Sequence, residues 1–273
     1  MTTTVATLLA ASGLPMLEAR ALLAHRLRVP RERLVAHPES AVGAHDADAF
    51  LDLARRRASG EPLAYLLGEK EFYGRSFVVS PDVLVPRPET ELLVDLALAR
   101  MRTIERPRVL DLGTGSGCIA VTLALECPGA RLTATDASAA ALAVARRNAE
   151  RQKADVAFHP GDWYDALPAG GDFDVIVANP PYVAPGDPHL EDLRFEPMRA
   201  LTDGRDGLAC LEAIVAGAAA RLAPRGWLIV EHGYDQSAAV GALFAAAQID
   251  AQTVADSAGH PRVTLGQARQ TPV

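Results

Sequence analysis

The chain has 273 residues, 49% of them apolar and 22% charged, which suits a globular protein of one large domain or two. Its net charge of −7 is uneven, with ten Lys/Arg against nine Asp/Glu in residues 1–80 and a net −8 beyond. No stretch has the clustered cations that displace counterions from a nucleic acid, so nucleic acid is not an expected partner. In chain order, residues 1–60 read as short amphipathic helices over Val5–Ala11, Leu17–Leu27, Arg31–His37 and Asp46–Ala58, punctuated at Gly13-Leu14-Pro15, Val29-Pro30 and His37-Pro38. The Arg55-Arg56-Arg57 run complements the carboxyl-end dipole of the last of these. Two aromatic, β-type runs flank Gly74 and predict a hairpin, and Pro86-Arg87-Pro88-Glu89-Thr90-Glu91 opens a helix through Arg100.

From Arg108 onward strands and helices alternate. The strands are Val109–Leu112, Arg131–Thr135, a weak Val156–Phe158, Phe173–Ala178 and Trp227–Val230. The helices are Cys118–Glu126, Ala139–Gln152 capped by Ser138, Gly207–Leu222 and Gln236–Ala246. Ala251–Ala255 and Val263–Leu265 close the chain as a strand pair around Gly259-His260-Pro261. Such alternation predicts an α/β fold, a doubly wound and mostly parallel sheet, preceded by a small all-α bundle.

Cys118, Cys127 and Cys210 are odd in number and lack CxxC spacing, which predicts reduced thiols and a cytoplasmic chain. The His residues show no metal-ligand spacing, so no metal is expected. No apolar run approaches the ~18 residues of a membrane span, and the start lacks the basic region of a signal peptide.

Two loops carry chemistry. Gly113-Thr114-Gly115-Ser116-Gly117 joins a strand to a helix, where glycines let backbone approach a ligand closely, and Asp136 ends the next strand, placed to accept from two ribose hydroxyls. Gly115–Ala120 also fits a dinucleotide fingerprint. Asp111, immediately before the loop, repels a pyrophosphate and suits the ammonium end of an adenosyl amino acid, which favours S-adenosyl-L-methionine over a nicotinamide. Trp163, after Gly161-Asp162, reads either as a face for adenine or as packing over the sheet end. The second loop is Asn179-Pro180-Pro181-Tyr182. Both prolines lack an N–H, so the Asn179 side-chain oxygen and the Pro180 carbonyl form an acceptor pair that suits a planar NH2 group. Tyr182 adds a ring face and a hydroxyl.

With Gly60-Glu61-Pro62, Gly68–Gly74, Pro86–Glu91, Gly161–Trp163 and Gly259–Val263, these loops resemble the PrmC/HemK family. These are S-adenosylmethionine-dependent glutamine methyltransferases of class-one peptide chain release factors. The resemblance spans nearly the whole chain and implies a seven-stranded class I methyltransferase sheet. It implies a helical docking bundle over 1–68, a β-hairpin linker over 69–85 and the methyltransferase domain over 86–273. By motif it places cofactor on Gly113, Thr114, Gly115, Ser116, Gly117, Asp136, Trp163 and Asn179. The target glutamine falls to Asn179, Pro180, Pro181 and Tyr182, with Asn179, Pro180 and Tyr182 acting on the chemistry. Its rivals are a DNA N6-adenine methyltransferase, a ribosomal-protein glutamine methyltransferase, a dinucleotide-dependent oxidoreductase and a cofactor-binding module without catalysis. Loss of the Asp136 side chain is expected to spare stability, and a chain beginning near Ser80 to keep cofactor binding.

Overall fold

The computed structural model describes residues 3–168 and 172–268. The chain divides into two compact units, Met1–Glu69 and Lys70–Val273. The first holds α1 (Val5–Ala11), α2 (Met16–Leu27), α3 (Arg31–Ala36), α4 (Ala44–Ala58) and α5 (Leu63–Leu67). Thr4 caps α1 by a capping box with Thr7, and α2 stops at Arg28 in the left-handed region, φ 54°. Leu22, Leu23 and Phe50 are wholly buried at the centre of this bundle. The short helix α5, which the sequence reading left undescribed, starts after Pro62 and ends at Gly68, φ 74°.

A hairpin of β1 (Glu69–Phe72) and β2 (Arg75–Val78) begins at the boundary and leads into the second unit. Tyr73 and Gly74, at φ 52° and 69°, make its two-residue turn. A left-handed tyrosine is costly, and it is anchored on the following helix, α6 (Glu91–Met101). Its N–H donates to Glu91 Oε1 at 2.8 Å and its hydroxyl to Asp95 Oδ1 at 2.8 Å. Phe72 and Phe77 are buried in the core of this unit, so the hairpin is part of its structure rather than a free tether.

The remaining elements are β3 (Arg108–Leu112), α7 (Cys118–Glu126), β4 (Arg131–Asp136), α8 (Ala139–Gln152), β5 (Val156–Pro160), β6 (Phe173–Ala178), α9 (His189–Asp192), α10 (Ala209–Ala218), β7 (Leu222–Glu231), α11 (Ser237–Ala246), β8 (Ile249–Ala255) and β9 (Pro261–Ala268). Among the described residues these build a seven-stranded sheet of order β5-β4-β3-β6-β7-β9-β8, parallel except where β9 runs against β7 and β8. It is the doubly wound, mostly parallel sheet that the alternation predicts.

Both faces of the sheet are covered, which is why its strands are apolar almost throughout. Val109, Val175, Val177 and Ile229 pack with α6 and α7, whereas the alternate residues Leu110, Ile176, Leu228 and Val230 pack with α10 and α11. Helix α10 is shorter than its alanine-rich sequence suggests. Leu222 pairs with Phe173, and the Phe173 N–H donates to the Arg221 carbonyl, so strand pairing with β6 overrides the helix propensity of residues 219–222.

Candidate active site

Strand register brings the chemistry to one edge. Leu112 lies opposite Thr135 on β4 and Ala178 on β6, and Ala178 lies opposite Val230 on β7. The residues that follow, Asp136, Gly113, Asn179 and Glu231, therefore form one row across the carboxyl ends of four parallel strands. Strand order turns back between β3 and β6, and in open α/β sheets the crevice at that point takes ligands. A cavity of about 330 Å³ opens there, lined by Gly113, Thr114, Gly115, Ser116, Asp136, Trp163, Asn179 and Pro181.

Each predicted cofactor residue has a defined place. Asp136 clasps the glycine loop: Oδ2 accepts from the Gly115 N–H at 2.9 Å and Oδ1 from the Ser138 N–H at 2.8 Å. Burial pushes its carboxyl up from the usual carboxylate range, against the pull of those two amides. Trp163 stands over the loop at φ 40°, its ring 3.2 Å from where a Cβ on Gly113 would lie, so Gly113, at φ 72°, admits no larger residue. Gly117 does not line the cavity. At φ 80° it is the entry to α7, and a Cβ there would meet the Ala145 side chain at 3.1 Å, so it serves close packing of α7 on α8.

Asp111 is wholly buried and does not line the cavity. Its Oδ2 accepts from the Thr114 hydroxyl at 2.6 Å and Oδ1 has no partner. Burial pushes its pKa to about 7. By pleat parity residue 111 shares the face of Val109, the one that α6 and α7 cover.

The second loop divides likewise. Asn179 and Pro181 line the cavity, while Pro180 is buried and Tyr182 does not reach the lining. Asn179 Nδ2 donates to Thr90 Oγ1 at 3.1 Å, and among the described residues its Oδ1 accepts no hydrogen bond. The Tyr182 hydroxyl, expected toward a ligand, donates instead to Glu231 Oε1 at 3.1 Å behind the loop. Burial raises the Tyr182 pKa well above its ordinary value, with the Glu231 charge adding to the effect.

Several cavity residues escaped the sequence reading. Thr90 and Arg87 come from the segment before α6, and Arg199 and Asp203 from the loop after β6. Arg87 Nη2 donates to Glu196 Oε1 at 2.5 Å, and Glu196 Oε2 accepts from the Val85 N–H at 2.9 Å. Arg199 donates to Ser138 Oγ. Glu231 carried a readable signal, since an acid directly after an apolar strand is also what marks Asp136. Among the described residues, no cluster of three or more His, Cys, Asp or Glu is arranged to hold a metal ion, and no helix is long and apolar enough to cross a membrane.

The donor set suits an adenosyl group. A carboxylate with spare lone pairs faces the cavity for a diol, an indole walls one side, and a glycine loop leaves room where Cβ atoms would intrude. Residues 89–192 match the Methyltransferase small domain family and residues 2–68 the PrmC N-terminal domain. The chain is 54% identical over 263 residues to a release factor glutamine methyltransferase of Bordetella pertussis, covering 95% of this chain and 97% of that one. It is 51% identical over 273 residues to the release factor glutamine methyltransferase of Burkholderia pseudomallei, covering 97% and 96%. The T. thermophilus 16S rRNA N2 G1207 methyltransferase (RsmC), solved in complex with AdoMet and guanosine, shares the fold with TM-score 0.54 at 22% identity, over 74% of this chain and 50% of that one.

Proposed function

The chain belongs to the release factor glutamine methyltransferases, and on that premise we propose that Asn179 and Pro180 hold the amide of the target glutamine in a cavity whose other end holds S-adenosylmethionine. The enzyme transfers the methyl group of S-adenosylmethionine to the side-chain amide nitrogen, N5, of a glutamine in a peptide chain release factor. Class-one factors are the proposed partners, and the helical unit, which matches the PrmC N-terminal domain, is proposed to help dock them. Gly113 to Ser116, Asp136 and Trp163 would hold the cofactor, which supplies an electrophilic methyl group on a sulfonium.

The observation that carries this reading is the polarity of Asn179. Its amide nitrogen is committed to Thr90, and its oxygen is left without a protein partner at the cavity wall. A carboxamide nitrogen is a poor nucleophile, because its lone pair is delocalised into the carbonyl. Two acceptors, Asn179 Oδ1 and the Pro180 carbonyl, match its two protons, fix its orientation and raise its electron density as the new bond forms. Holding reactants near attack geometry is worth up to ~7–11 kcal/mol of the barrier. The nitrogen gains a carbon and loses one proton, which the Asn179 oxygen or water accepts, so no dedicated base is required. Pro180 and Pro181 bring no N–H that would compete for the acceptors.

The test is single-turnover methyl transfer to a purified release factor, with duplex DNA in parallel. Asn179→Ala is expected to lower the rate by roughly 10²–10³-fold, by analogy with removal of a preorganised oxyanion donor, while S-adenosylmethionine affinity stays within a few-fold. Transfer to adenine, or a normal rate in Asn179→Ala, would overturn the assignment.

A further inference from the structure

Asp136, Trp163 and the glycine loop account for the adenosyl end of S-adenosylmethionine. Its other end is an amino acid, with an ammonium and a carboxylate. Among the described residues the cavity wall has two cations, Arg87 and Arg199. Arg199 donates to Ser138 Oγ, two residues beyond Asp136, which puts it at the adenosyl end. Arg87 belongs to the segment that meets the end of β6, where Thr90 accepts from Asn179 Nδ2 at 3.1 Å. Its guanidinium is held by Glu196, whose side chain is 2% exposed. Glu196 Oε1 accepts from Arg87 Nη2 at 2.5 Å, and Oε2 from the Val85 N–H at 2.9 Å. The Arg87 side chain itself is 32% exposed. Of its five N–H groups one goes to Glu196, and the rest have no protein acceptor among the described residues.

We propose that Arg87 receives the carboxylate at the methionine end of S-adenosylmethionine, and that Glu196 is the positioning residue that fixes its guanidinium at the cavity wall. A guanidinium fork matches a carboxylate in both shape and charge. One hydrogen of Nη2 serves Glu196, which leaves other edges of the fork for a second carboxylate. With the ribose at Asp136 and the methyl group turned to Asn179, the sulfonium falls between the ends of β4 and β6. The short chain that joins the carboxylate to the same sulfur leads it to the segment of Arg87 and Thr90. A free arginine loses its rotamer freedom on binding, whereas here Glu196 has fixed the side chain beforehand. Pro86 and Pro88 flank Arg87 and stiffen the backbone that carries it. This assignment rests on the reading of the cavity as the cofactor site.

Calorimetry on the full chain compares S-adenosylmethionine with decarboxylated S-adenosylmethionine, which lacks only the carboxylate. The variants are Arg87→Lys, which keeps the charge and loses the fork, Arg87→Gln, and Arg87→Gln combined with Glu196→Gln. The double variant leaves no buried charge unpaired, so it tests the contact even where Arg87→Gln alone fails to fold. The parent should favour S-adenosylmethionine by about 10–100-fold. Arg87→Gln and the double variant should bring the two ligands within about threefold of each other, by weakening S-adenosylmethionine and not its decarboxylated form. Arg87→Lys should fall between them and the parent. A parent without that preference, a double variant that keeps it, or an equal loss for both ligands overturns the proposal while leaving the cavity as the cofactor site. An unchanged preference joined to a raised KM for the release factor also overturns it, and gives Arg87 to the protein substrate. A parent that binds neither ligand removes the reading of the cavity, and the proposal with it.

Discussion

Asp136 offers the sharpest quantitative test, because its carboxylate has two tasks that separate experimentally. In the proposed complex its oxygens accept from two ribose hydroxyls. Charge-assisted hydrogen bonds of this kind are worth ~1.5–3 kcal/mol each, and Asp136→Ala should cost ~2–4 kcal/mol of cofactor affinity after water refills the gap. That corresponds to a roughly 30- to 700-fold rise in Kd. The same oxygens accept from the Gly115 and Ser138 N–H groups, at 2.9 and 2.8 Å. Read from the sequence, the residue is a ligand contact whose loss spares the fold. The two amide bonds reverse that expectation: at ~0.5–1.5 kcal/mol each, Asp136→Ala should also cost ~1–3 kcal/mol of stability. Asp136→Asn keeps one acceptor but sets its NH2 against the other amide N–H, so it should lie between parent and Asp136→Ala on both scales. Calorimetry with S-adenosylmethionine and urea denaturation measure the two quantities. An unchanged Kd in Asp136→Ala refutes the ligand contact, and an unchanged midpoint refutes the clasp.

Asp111 and Glu231 are raised by burial to about 7, from 3.8 and 4.5, so the native state holds extra protons between about pH 4 and 7. Their contribution to stability is full below that window and is lost as pH rises through it, by up to ~1.4 kcal/mol per pH unit for each group. Denaturation of Asp111→Asn from pH 4.5 to 7.5 should show a shallower fall than the parent, and parallel curves would refute the assignment. Gly217→Ala would place a Cβ 2.5 Å from the Tyr164 ring, next in sequence to Trp163, whereas at Gly241, also helical, a Cβ meets nothing within 4 Å. The first should destabilise by ~1–3 kcal/mol and weaken cofactor binding, while Gly241→Ala should stabilise by ~0.5–1 kcal/mol, both read by thermal melts and calorimetry. A chain beginning at Lys70 is expected to bind cofactor. One beginning at Ser80 loses the buried Phe72 and Phe77, ~3–6 kcal/mol of apolar burial, and should not give a cooperative melt.

What the sequence by itself determined is what is encoded over a few residues. The alternation of apolar strands with helices of matching length specifies the parallel sheet, because each strand must be covered on both faces. The glycine loop, Asp136 and the Asn179–Tyr182 loop are legible for the same reason: each combines a local backbone requirement with a side chain at a strand end. Tertiary structure decided what those groups touch. Asn179 and Thr90 are 89 residues apart, and Arg87 and Glu196 are 109 apart, so no periodicity connects them and only strand register brings them together. The burial of Asp111, the turn of Tyr182 toward Glu231 and the packing task of Gly117 follow from which face each residue presents once the sheet is assembled and α6, α7 and α8 cover it. A sequence states donors and acceptors, whereas the fold chooses their partners, because a hydrogen bond is settled by geometry within about 3 Å and not by distance along the chain.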